Sequence, residues 1–125
     1  MNIILNIGLD GIPADESYTN GVLNHLNVRR ALQAVQAVRA HGFKIIRAKV
    51  MQSDTEPTLV VEAIDTDAGQ DNRIDMLSVA LNQDCIGVWY ADESWGQLVG
   101  PRADAWGEFN PKFFIMPDGA RLEAA

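Results

Sequence analysis

The chain has 125 residues and a mass of 13.7 kDa, the size of one domain, with 47% hydrophobic and 22% charged residues. That balance excludes general disorder and fibrous repeats, the single cysteine excludes an internal disulfide framework, and no apolar run reaches the roughly 18 residues of a membrane span. Seventeen acids against ten bases give a net charge of −7, split unevenly as +3 over residues 1–50 and −10 over residues 51–125. Phosphates are repelled by such a chain at long range, so a protein partner is expected ahead of a nucleic acid.

Residues 2–9 alternate as a strand, with Ile3, Leu5, Ile7 and Leu9 on one face and Ile4, Asn6 and Gly8 on the other. The start lacks a basic segment, and Asn6 interrupts its apolar run, so it reads poorly as a secretory leader. With one cysteine, Cys85, inside an apolar segment, a cytoplasmic protein is expected. Residues 10–22 carry Gly11, Pro13, Asp15, Ser17, Asn20 and Gly21 and read as a long loop.

Asn27 is placed to cap a helix to about Ala40, with Val28, Ala31, Leu32, Val35 and Val38 as its buried stripe. His41-Gly42 ends it, with glycine at the left-handed position. Residues 43–51 read as a strand with Ile46, Ala48 and Val50 on one face and Ile45, Arg47, Lys49 and Met51 on the other. A turn over 52–57 leads into a strand over 58–64, with Pro57 admissible only at its start. After an acidic linker, Asp71 is placed to cap a second helix to Asn82, with Ile74, Leu77 and Leu81 buried. Strands are expected over 84–90 and over 95–99, and fraying from Asp118 to Ala125.

The order β-α-β-β-α-β over residues 2–90 resembles the ferredoxin-like split βαβ sandwich, so one α+β domain is expected. Seven of the nine aromatics fall between Trp89 and Phe114, five of them in the extension over 91–117. In a split βαβ sheet both helices cover one face, so the other needs this extension or a second subunit as its cover.

No metal, cofactor or catalytic set emerges. Asp65 to Asp75 fails the calcium-loop pattern, with Gly69 at the fifth position and Met76 at the twelfth. His25, His41 and Cys85 lack zinc spacing, and no nucleophile elbow or phosphate loop is present. Cys85 reads as an inert small hydrophobe. Three functions are carried forward. The first is a non-enzymatic interaction module, a small acidic accessory or inhibitor protein able to form a homodimer, that binds a protein through Trp95, Trp106 and Phe109 beside Asp92, Glu93, Asp104 and Glu108. The second is a small-ligand sensor using Asn6, Asp10, Ser17, Tyr18 and Asn20, with the metabolite at a dimer interface. The third is a hydrolase using Asp54, Glu56 or Asp84. For that role the turn over 52–56 and the junction over 82–84 are expected at different ends of the sheet, with Asp54 shaping its turn and Glu56 solvated.

Overall fold

The computed structural model describes residues 2–13, 26–54, 56–65 and 72–123. These form a mixed α+β fold with a five-stranded antiparallel sheet and three helices. The elements are β1 (Asn2–Gly8), α1 (Leu26–Ala40), β2 (Phe43–Gln52), β3 (Pro57–Asp65), α2 (Arg73–Ala80), β4 (Ile86–Tyr90), β5 (Trp95–Val99) and α3 (Ala103–Trp106). The strand order is β2-β3-β1-β4-β5, which leaves β2 and β5 at the edges.

One sheet face carries the larger core. Ile3, Leu5 and Ile7 of β1 alternate inward, beside Leu59, Val61 and Ala63 of β3 and Ile86 and Val88 of β4. Ala34 and Val38 of α1 and Ile74, Leu77 and Leu81 of the α2 region close over them. The buried stripe of α1 is centred on Ala34 and Val38, with Ala31, Val35 and Ala37 at its margin; Val28 and Leu32 are only half-buried. Alanine lets a helix sit close on a sheet, which hydropathy spacing alone does not reveal. Leu26 opens the helix, so Asn27 lies in its first turn and is not the cap. Gly42, at φ +92, ends it, and the His41 ring donates from Nδ1 to the Ala37 carbonyl at 2.7 Å. At α2 the N-cap is Asn72, which makes no side-chain capping bond; the expected cap Asp71 lies outside the described residues.

Buried Arg73 ties these pieces together. Its Nη1 donates to the carbonyls of His41 (3.2 Å) and Gly42 (3.3 Å), and its Nη2 pairs with Asp65. The guanidinium lies 4.6 Å from the centroid of Phe43. One cation thus serves the end of α1, the start of β2 and the end of β3.

The faces of β2 differ from the period-2 expectation. Its register against β3 shifts between Ile45 and Arg47, so Ile46 is an extra residue in a β-bulge. Ile45, Ala48 and Val50 therefore stand opposite Ala63, Val61 and Leu59, on the helix side. Lys44, Arg47, Lys49 and Met51 share the other side. A bulge inverts the alternation beyond it, and local composition does not announce it.

The second face is covered by the C-terminal extension. Phe114 and Ile115 are buried on Ile4 and Val60, with Met51, Trp89, Phe109, Met116 and Leu122 around them. Asn6 supplies the join: its Nδ2 donates to the Ile115 carbonyl at 2.9 Å, and the Ile115 N–H donates to its Oδ1 at 2.8 Å. A side-chain amide thereby imitates a neighbouring strand. Residues 118–123, expected to fray, fold back instead. Ile115 bridges to Arg121, and the Leu122 N–H donates to the Phe114 carbonyl at 2.8 Å.

Candidate functional site

The β4–β5 hairpin and α3 carry the aromatic and acidic residues singled out in the sequence, and the structure divides them into three places. At the turn end, Trp95 stacks on Tyr90 with ring centroids 4.4 Å apart, and its Nε1 donates to Glu93 Oε2 at 2.6 Å. Asp92 Oδ2 accepts from the Asn2 N–H at 3.0 Å in the same turn. At the opposite end, Trp106 donates from Nε1 to Asp84 Oδ2 at 3.2 Å, and Asp104 lies on the same short helix. Tyr90 pairs with Trp95 and Ile86 with Val99, so the length of β5, about 13 Å at strand rise, separates the two indoles.

Phe109 belongs to neither end. It lies between Trp89 (6.1 Å) and Phe114 (5.2 Å) and presses on Gly96, where an added Cβ would come within 2.5 Å of its Cζ. Its role is packing, a correction to its place in the binding surface. Glu108 beside it is exposed. Trp106 is 60% exposed and Trp95 42%. An indole face flanked by carboxylates offers a quadrupole and a negative charge to the same cation, the combination that suits a guanidinium or ammonium group. Asp84 and Tyr90 were missed as members of these clusters. Asp84 meets Trp106 across 22 residues of sequence, and no local pattern encodes that contact.

A second polar cluster forms at the end of β1. The turn over 53–56 and the junction over 82–83 both reach it, contrary to the separation expected. Glu56 lies against Gly8, where an added Cβ would meet its carboxylate, and its Oε2 accepts from the Asp10 N–H at 3.2 Å. Gln83 donates to the Gly8 carbonyl at 2.8 Å, and Asn82 to the Gly11 carbonyl at 2.9 Å. Arg30 donates to the Ile12 carbonyl at 2.8 Å and stands 4.0 Å from Asp10. Glu56 is therefore partly buried and only partly solvated; burial pushes its carboxyl above the ordinary range, and the nearby Asp10 charge adds to this against the Asp10 N–H bond. The side chain that shapes this turn is Ser53, whose Oγ donates to the Glu56 carbonyl at 2.7 Å and accepts from the Glu56 N–H at 3.1 Å. Asp54 instead faces Arg121 at 3.3 Å.

Of the ligand-binding candidates, Asp10 lies in this cluster, while Asn6 points to the opposite side and holds Ile115. Ser17, Tyr18 and Asn20 lie outside the described residues. Asp54, Glu56 and Asp84 sit in separate contacts, with Arg121, the Asp10 N–H and Trp106 respectively. Cys85 is half-buried just before β4, and burial, with the Asp84 charge beside it, pushes its thiol up. Among the described residues no helix is long and apolar enough to cross a membrane. Comparison with known protein families, with curated proteins and with solved structures finds no match to this chain.

Proposed function

We propose that this protein is a non-enzymatic interaction module that binds a basic segment of a protein partner through the β4–β5 edge, with Trp106 as its anchor. The observation that carries the reading is the contrast within the extension: Phe109 and Phe114 turn into the sheet, whereas Trp106 stands outward beside Asp84 and Asp104. A large exposed indole gains nothing for the fold, and tryptophan is a frequent centre of binding energy. The acidity of residues 51–125 selects the sign of the partner. A cytoplasmic setting and a ferredoxin-like fold belong to the same proposal. The latter is supported by the order β2-β3-β1-β4 with helices after β1 and β3, to which β5 and the extension are additions.

The test is calorimetric titration with arginine- and lysine-rich peptides, on the wild type and on Trp106→Ala. Loss of about tenfold in affinity or more is expected, with the melting temperature unchanged. Equal affinity in both proteins overturns the reading.

A second reading, a small-ligand domain, is favoured by the convergence of Glu56, Asp10, Asn82 and Gln83 at the end of β1. Thermal-shift screening against metabolites addresses it, because a ligand at 100 times its Kd adds about 2.7 kcal/mol of stability. A flat panel removes it.

A further inference from the structure

β2 is the longest strand of the sheet, ten residues, and only one of its sides is paired, with β3. Past the bulge its register against β3 is unbroken from Arg47 to Gln52. The outer side of that stretch therefore presents backbone N–H and C=O groups in regular alternation, with no partner strand among the described residues. Ile46 to Val50 are all exposed, so none of the described segments lies along them.

The two faces of this edge differ in chemistry. On the helix side, Ala48 and Val50 are exposed although Val61 and Leu59, their partners on β3, are buried. The apolar face of the sheet thus runs on past the cover of α1. On the other side stand Lys44, Arg47 and Lys49. Arg47 is bonded to Glu62 at 2.8 Å, whereas among the described residues neither lysine has an ion pair.

We infer that the outer edge of β2 docks an extended segment of a partner protein, added as a sixth strand, in which acidic and apolar residues alternate. The backbone of that segment takes up the open N–H and C=O groups of β2. Its carboxylates fall on the side of Lys44 and Lys49, and its apolar side chains extend the core beside Ala48 and Val50. Alternation is required because successive side chains of a strand point to opposite faces. Lysines on an edge ordinarily prevent pairing, and here they exclude the chain's own copy. A two-fold β2–β2 pairing turns about an axis perpendicular to the sheet, so it keeps each face on its own side and sets the cations of the two copies together. The same lysines admit a strand of opposite charge. A nucleic acid fits less well, since it cannot continue the backbone ladder and meets a chain of net charge −7. This site lies at the opposite border of the sheet from β5 and does not rest on Trp106.

The probe is an end-blocked peptide of about eight residues in which glutamate and valine alternate, titrated by calorimetry at low salt. Binding is expected, with hydrogen exchange slowed at the amides of β2. The exposed-surface variant Lys44→Gln with Lys49→Gln should lose about tenfold in affinity. The same peptide with its amides N-methylated should not bind, because it keeps the charge and loses the ladder. Absence of binding at about 1 mM peptide, equal affinity in the lysine variant, equal affinity for the N-methylated peptide, or slowed exchange confined to another strand overturns the inference. So does a wild type whose β2 amides are protected by self-association, which makes a second copy the occupant. An oligothymidylate that binds through the lysines where the peptide does not gives the edge to a nucleic acid and likewise overturns it. Trp106→Ala should bind the peptide as the wild type does; a loss there places the peptide on the β4–β5 edge and defeats this inference.

Discussion

The helix face of the sheet is closed by side chains that recur at helical spacing, Ala34 and Val38 on α1 and Ile74, Leu77 and Leu81 around α2. The opposite face is closed by chain with little regular structure, held by the Asn6 amide and by ring contacts over Gly87 and Gly96. The first arrangement distributes its energy over many interchangeable apolar contacts. The second concentrates it in a few positions, where one polar side chain and two missing ones decide whether the cover fits. Single substitutions should therefore act differently on the two faces.

The largest effect is expected at Arg73, where helix-face elements meet. Arg73→Ala leaves Asp65 without its main cation and the His41 and Gly42 carbonyls without this donor, a loss of about 3–5 kcal/mol by chemical denaturation. On the other face, Phe114→Ala should cost about 3 kcal/mol and make residues 109–123 the first to be cleaved by protease. Asn6→Ala should cost about 1–3 kcal/mol, because it strips both bonds from a buried Ile115; Asn6→Asp keeps the acceptor but sets a second oxygen against the Ile115 carbonyl, so it should cost at least as much. An Asn6→Asp variant as stable as the wild type would show that the amide geometry is immaterial.

Smaller effects sharpen the contrast further. The folded protein binds the Glu56 proton more tightly than the unfolded chain does, because burial raises this carboxyl above 4.5. Glu56 therefore subtracts stability at neutral pH, and the penalty disappears as pH falls through the raised value and then the ordinary one. Glu56→Gln, which keeps an acceptor for the Asp10 N–H, should melt slightly higher at neutral pH and like the wild type in acid. Trp106→Ala should change stability by less than about 0.5 kcal/mol, since its indole is exposed and held by one surface bond. A large loss there would move Trp106 from the binding edge into the packing of the extension.

Much of the fold was legible along the chain. The alternation of Ile3, Leu5 and Ile7, the Gly42 stop, Pro57 at the head of β3 and the stripe of Ile74, Leu77 and Leu81 all follow from local periodicity and backbone chemistry. The candidate site was legible only in its composition. Trp95, Trp106 and the acids stand out as residue types, but their division between two ends of β5, and the removal of Phe109 into the core, depend on the path of the chain after Pro101.

By itself, then, the sequence determined the kinds and order of the five strands and of α1 and α2, though not α3, and the sign of each half of the chain, because periodicity, turn chemistry and charge are properties of neighbouring residues. Tertiary structure decided which residues meet. The bulge at Ile46 turned the lysines of β2 to one side, Asn6 found Ile115 across 109 residues, and Glu56 came to rest beneath Gly8. Such contacts are selected by fit and by the need to satisfy buried polar groups, and those conditions exist only once distant segments are packed together.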